Sequence, residues 1–387
     1  MIAINKPNIF GNEYKYIKNS IKNGWLASVG KNVFKFEKNI AKFTKSKYSV
    51  SCNSGTSALH IALKIFVKND DEVLVPSITF ISTINSINYN NCYPVFMDVN
   101  ESFNIDEKKT IEFLKKNTFQ KNKICLNKKT KRKISAIVIV SVWGIPPQVN
   151  KLINECKKRN IKIIEDATEA LGSFYKNGKF KGKHAGTLGD IGCYSFNGNK
   201  IITTGGGGMI VSNNKKLILK SKYFINQCKD DATNYVHNEI GYNYRLSSLQ
   251  ASLGLAQLKK LNLIIKKKVK IYNYYRKKLI NLKKFSLFQF PDHSKNNHWI
   301  NILNIKSEIK NSLNLKNKLL KKFKINGIEA RSIWFPNHLQ KPYRNCEKYK
   351  IKNAVKLFKS SVCLPSSFNL NLKDQNFIIK IIKELDV

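Results

Sequence analysis

Residues 134–166 constrain the fold more than any other stretch of the chain. Ile134 to Val140 is an unbroken apolar run, Val149, Leu152, Ile153 and Cys156 recur at helical spacing, and Ile161 to Ile164 is apolar again and ends in Glu165-Asp166. Strand, helix and strand at this spacing make a βαβ unit. Strands without polar alternation belong to a parallel sheet covered on both faces. Asp166 then stands at the carboxyl end of a buried strand, where open α/β sheets hold their ligands. A carboxylate is costly to bury there unless something cationic meets it. Capping a helix from Ala167 onward would use the same residue structurally.

The flanking segments extend this pattern. Ile2 to Phe10 reads as an extended arm, Glu13 to Asn23 as a short helix, Gly24 to Gly30 as irregular, and Val33 to Thr44 as a helix with Phe34, Phe36, Ile40 and Phe43 on one stripe. Tyr48 to Ser51, Glu72 to Pro76 and Tyr93 to Val99 read as strands. The first runs into Asn53-Ser54-Gly55-Thr56-Ser57 and then a helix beginning at Ala58. A strand, a small-residue turn and a helix N-terminus can hold an anion, because the first helical N–H groups lack internal partners. An ordinary Ser/Thr cap explains the same wording. Lysine-rich residues 117–133 read as a solvated surface loop. After Glu239 to Leu246 a single long helix is expected over Ser247 to Leu282, leading to a second α/β unit. Its strands are expected at His298 to Ile305 and Gly327 to Ile333, and its helices at Ser312 to Lys324, Asn353 to Ser360 and Lys373 to Leu385. The expected division is 1–250 and 251–387.

Gly189 to Thr204 carries the chemistry. A short strand ends near Phe196, and small polar residues then bring Lys200 into four consecutive glycines, Gly205 to Gly208, and a strand at Met209 to Val211. Glycine lets backbone approach a ligand closely, and a lysine displayed beside it suits Schiff-base chemistry with an aldehyde cofactor. With 69 Lys plus Arg in the chain, a solvated surface charge is the competing use of any one lysine.

Composition narrows the setting. A length of 387 residues allows two or three compact units, and 42% hydrophobic content excludes general disorder. No run of eighteen apolar residues occurs and Met1 to Ser20 has no signal-peptide core, so a soluble, cytoplasmic protein without membrane insertion is expected. The eight cysteines and six histidines show no ligand spacing, and no metal is expected. The formal charge of +44 is spread along the whole chain and identifies no nucleic-acid partner.

An anion cradle at Ser54 to Ser57, an aromatic Phe80 beyond a strand end, Asp166, the Ser195 hydroxyl and Lys200 are together what pyridoxal phosphate needs. The chain resembles the DegT-type sugar aminotransferases, fold type I pyridoxal phosphate enzymes that act on nucleotide-linked keto sugars. The likeness covers Gly24 to Gly30, Asn53 to Leu63, Pro76 to Phe80, Glu165 to Gly172, Gly189 to Gly208 and Gly241 to Leu246. It continues through Gly327 to Pro336, His338-Leu339-Gln340 and Leu364 to Ser367. Asn127 to Thr130, Lys133 onward, Asn197 to Lys200 and Leu364 to Ser367 look most like the branch that aminates C4 of UDP-4-keto-6-deoxy-N-acetylglucosamine, toward legionaminic acid or bacillosamine-type sugars.

The resemblance implies a large domain with a mostly parallel sheet covered by helices and a smaller C-terminal α/β domain. It implies that Lys200 forms the Schiff base and that Asp166 pairs with the pyridine nitrogen. Ser54, Gly55, Thr56 and Ser195 would bind phosphate with Asn243 from the partner subunit of a homodimer, and Phe80 would stack on the ring. Glu169 falls where relatives often carry His or Gln near the cofactor oxygen and is a candidate cofactor contact, Ser141 falls where many carry His, and Trp143 at an aromatic position. Trp25, Ser28, Arg331 and His338 are the candidate substrate contacts, and L-glutamate the expected amino donor in a ping-pong reaction. A dehydratase of the same fold is the nearest alternative, although such relatives lack the lysine. A non-catalytic binding protein is the other.

Overall fold

A computed structural model describes residues 1–386. Among these residues the apolar runs become β1 (Tyr48–Cys52), β2 (Glu72–Pro76), β3 (Tyr93–Met97), β4 (Ile134–Val140), β5 (Lys162–Asp166), β6 (Ile191–Ser195) and β7 (Gly208–Ser212). They form one sheet in the order β1-β7-β6-β5-β4-β2-β3, extended at the β3 edge by Lys348–Tyr349. From β6 to that edge every pairing is parallel, and β7 and β1 close the other side antiparallel. All seven residues of β4 are buried, as a strand with both faces covered requires. Asp166 pairs with Cys193, so β5 and β6 end beside each other, with Ser195 the last residue of β6.

A second, antiparallel sheet contains β8 (Phe285–Leu287), β9 (Asn301–Ile305), β10 (Arg331–Ser332) and β11 (Ser361–Leu364) in the order β8-β9-β11-β10. Its core joins Phe285, Leu319, Phe323, Ile378 and Ile382 to Ile271 and Tyr275 of the helix Leu261–Lys278. The N-terminal arm crosses to this unit: Ile2 bridges Ile328, and the Ser366 N–H donates to the Ile4 carbonyl at 2.7 Å.

Three expectations are corrected. The long helix is two, Ser248–Leu258 and Leu261–Lys278. Between them the Lys260 N–H reaches back three residues to the Gln257 carbonyl, and the Gln257 amide is drawn into the arm, donating to the Asn8 carbonyl at 2.8 Å and to Glu13 at 2.5 Å. Residues 117–133 are not a plain loop: Thr118–Lys121 and Ile124–Asn127 form a hairpin turning at Asn122 and Lys123, both at positive φ as a tight two-residue connection demands. Asn127 is buried there and donates to Glu72 at 2.8 Å. Phe34 lies off the buried face of its helix, 56% exposed, while Phe36 and Ile40 are fully buried.

Candidate active site

A cavity of about 440 Å³ opens where the β1, β5 and β6 strand ends meet the second sheet and the arm. Its floor holds the N-terminus of the helix Gly55–Lys64. Ser54 caps that helix by accepting the Ser57 N–H at 3.0 Å, and Gly55 and Thr56 line the cavity. The cap reading of this turn is observed, and it is compatible with the anion reading, since the cap uses the Ser57 donor and leaves the first two helical N–H groups facing the cavity. A Cβ on Gly55 would come within 2.7 Å of the Ser195 Cβ, so glycine is what lets the helix end meet β6. A Cβ on Gly208 would collide with the Ser54 carbonyl. The glycine run thus packs the Lys200 loop against the cradle.

Two carboxyls approach from β5 and the turn after it. Asp166 is 3% exposed and does not itself line the cavity; one oxygen accepts from the Thr83 hydroxyl at 2.6 Å and the other from the Thr168 N–H at 3.1 Å. Glu169 lines the cavity, accepts the Trp143 N–H at 2.9 Å and lies 3.5 Å from the Lys200 Nζ. Burial pushes the Glu169 carboxyl up to about 7, opposed by the Lys200 charge and reinforced by Asp166. The Lys200 ammonium also sits 4.6 Å from the centroid of the Trp299 ring.

Of the residues singled out from sequence, Ser54, Gly55, Thr56, Phe80, Trp143, Glu169, Ser195, Lys200 and Arg331 line this cavity, and Asp166 is buried at the strand end beside it. Phe80 is 52% exposed at its rim, 6.2 Å from the Trp334 ring. Arg331 pairs with Glu329. His338 is not brought there: it is buried, bonded through Nδ1 to the Ser77 hydroxyl at 2.6 Å, and burial pushes its pKa down to about 4. Trp25 and Ser28, in the connection between the first two helices, and Asn243 also lie off this chain's cavity. Asn243 is exposed and held by Arg245.

Sequence reasoning placed Trp143 at an aromatic position but missed the rest of the aromatic wall, Trp299 and Trp334. Three of the four tryptophans, Trp143, Trp299 and Trp334, line the cavity, with Trp143 stacked on Trp334 at 4.3 Å. Their rarity in the chain was the available signal. It also missed Asn5 of the arm, which donates to the Asn199 carbonyl at 2.5 Å. Among the described residues no group of three or more His, Cys, Asp or Glu side chains could hold a metal, and no helix is long and apolar enough to cross a membrane.

The site fits pyridoxal phosphate, since the helix N-terminus at Gly55 and Thr56 and the Lys200 amine line one cavity, and the Asp166 carboxyl is fixed at the neighbouring strand end. Comparison with known proteins agrees. Residues 7–383 match the DegT/DnrJ/EryC1/StrS aminotransferase family. The chain is 34% identical to the GDP-perosamine synthase of Escherichia coli O157:H7 over 99% of its own length and 98% of that protein's. It is 31% identical to the UDP-4-amino-4,6-dideoxy-N-acetyl-beta-L-altrosamine transaminase of a Campylobacter jejuni strain, over 98% of this chain and 96% of that one. The solved structure of Helicobacter pylori PseC, an aminotransferase involved in the biosynthesis of pseudoaminic acid, superposes with a TM-score of 0.87 at 26% identity, covering 100% of this chain and 99% of that one. The chain therefore belongs to the DegT/DnrJ/EryC1/StrS family and is a pyridoxal phosphate-dependent sugar aminotransferase.

Proposed function

We propose that the protein moves the amino group of L-glutamate to C4 of UDP-4-keto-6-deoxy-N-acetylglucosamine, in two half-reactions at one site in the cytoplasm. The observation that carries this reading is the Lys200 amine, 12% exposed and 3.5 Å from Glu169, facing a cavity floored by a helix N-terminus. When bound, pyridoxal phosphate supplies the aldehyde that takes the amino group and the conjugated ring that accepts the electron pair of the donor Cα–H bond. Lys200 Nζ is the base that takes the Cα proton from glutamate and delivers one to the sugar carbon. Asp166, held by Thr83 and Thr168, would be the acid that stabilises the protonated ring nitrogen of the cofactor. The Gly55 and Thr56 N–H groups and the Ser54 and Ser195 hydroxyls hold the phosphate. Phe80 and the tryptophans keep water from the reacting atoms, and Arg331 at the cavity offers a cation to a diphosphate or carboxylate.

Trp25, Ser28 and Asn243 act, in this reading, from the partner subunit of a homodimer, since none of them reaches the cavity of its own chain. The relatives named GDP-perosamine synthase favour a second reading for the sugar, a GDP-linked keto sugar at the same site. Single-turnover amination with each nucleotide sugar after loading with glutamate separates the two. Lys200→Ala should bind cofactor in a folded protein yet lose at least ~1,000-fold in transamination rate; turnover near wild type in that variant refutes the assignment.

A further inference from the structure

Lys268, on the helix Leu261–Lys278, is a cation with no surface to reach. It is 2% exposed, and no carboxylate among the described residues forms an ion pair with it. Its three N–H donors meet three acceptors from three separate parts of the chain: the Asn5 Oδ1 at 2.8 Å, the Trp299 carbonyl at 3.1 Å and the Ser366 carbonyl at 2.6 Å. Burial alone pushes this amine down to about 7. The neighbouring His298 is held neutral, pushed down to about 4 by burial and by the Lys268 charge. A hydrocarbon side chain would fill the same space without that cost. What it could not do is tie the arm, the approach to β9 and the segment after β11 to one atom.

Two of those three ties converge again on the site. The Asn5 amide donates to the Asn199 carbonyl at 2.5 Å, and the Trp299 indole N–H donates to the same oxygen at 2.7 Å. Asn199 directly precedes Lys200, whose amine lies 4.6 Å from the centroid of that same indole. The third tie closes the loop, because the Ser366 N–H donates to the Ile4 carbonyl at 2.7 Å beside Asn5. We propose that Lys268 is a positioning residue: through Asn5 and Trp299 it fixes the Asn199 carbonyl, and thereby sets where the Lys200 amine stands in the cavity. Charge-assisted bonds to neutral carbonyls are stronger than neutral ones, which suits a clamp on a glycine-flanked loop. The inference rests on the assignment of Lys200 as the cofactor-bearing lysine.

The test compares the cofactor-loaded wild type with Lys268→Met, Trp299→Phe and the double variant. The readouts are the resting visible absorption at fixed pH and the single-turnover rate with L-glutamate. Lys268→Met should change the ratio of the resting bands and slow the glutamate step about tenfold, with half-saturation moving less than about twofold. Trp299→Phe, which removes the indole N–H donor and keeps a smaller aromatic ring, should act in the same direction. The double variant should be no slower than the slower single one, because both act through one carbonyl. A wild-type spectrum and rate in Lys268→Met, or fully additive effects, overturns the proposal. Should Lys268→Met fail to fold, Trp299→Phe and Asn5→Ala sever the same relay from its far side, and wild-type behaviour in both overturns it equally. A wild type whose spectrum does not respond to glutamate strikes the functional reading itself, and the inference with it.

Discussion

Glu169 and Lys200 share one buried corner, and their 3.5 Å separation ties the proton on one to the charge on the other. The Glu169 carboxyl is pushed up to about 7, so it is neutral below that pH and anionic above it. The glutamate half-reaction should therefore show an inflection near pH 7 that disappears in Glu169→Gln, whose amide stays neutral throughout; an unchanged profile in that variant would remove Glu169 from the proton inventory. At this scale the sequence is legible where chemistry demands a residue type in a given setting. Lys200 announces itself by the glycine run and Asp166 by its place at a strand end. His338 misleads because a histidine near a motif cannot declare whether its ring faces a cavity or, as here, the Ser77 hydroxyl. Trp299 and Trp334 stay hidden because packing is the ordinary use of an aromatic side chain.

Elements bring these residues into register, and one close join is that between the helix Gly55–Lys64 and β6. Gly55→Ala should force the helix end away from Ser195, weakening pyridoxal phosphate binding about tenfold or more while leaving secondary structure intact. Fluorescence titration of the cofactor-free protein measures it, and unchanged affinity would mean that the cradle tolerates the shift. The connection between β5 and β6 depends on His184, which is fully buried, accepts the Gly172 N–H at 2.8 Å through Nε2 and bonds the Ala185 carbonyl at 2.5 Å through Nδ1. Burial pushes His184 down to about 4, below its ordinary 6.5. Between those pH values the unfolded chain binds a proton that the folded chain refuses, so this contribution to stability is lost as pH falls. The stability advantage of wild type over His184→Gln should shrink on acidification from pH 6.5 to 4, by up to ~3 kcal/mol. A difference constant across that range, measured by urea unfolding, contradicts the account. Parallel strands were legible as elements because burial on both faces writes a continuous apolar run, as in β4. The hairpin at residues 118–127 was not, because its turn places two non-glycine residues at positive φ and its anchor is Asn127 reaching Glu72 across the sequence. The break after Leu258 was equally invisible, since Lys259 and Lys260 are good helix formers and only the tertiary pull on Gln257 interrupts the helix.

At the scale of the molecule, the arm and the second sheet complete a cavity that the large sheet only begins. Ile4, Asn5, Trp299 and Arg331 all line it, although the sequence separates them by hundreds of residues, and no local pattern could have announced the closure. The proposed homodimer belongs to the same scale. Sedimentation at micromolar concentration should give a dimer mass, and Asn243→Ala should weaken cofactor binding without moving any group of its own chain's cavity. A monomer with full activity would remove the partner subunit from the site. The central claim is that Lys200, among so many lysines, is the residue that carries the cofactor. Reduction of the loaded protein with borohydride, followed by proteolysis and mass spectrometry, tests it directly. The account predicts one pyridoxyl-modified peptide, containing Lys200; a label confined to any other lysine, or none on folded protein saturated with cofactor, would contradict it.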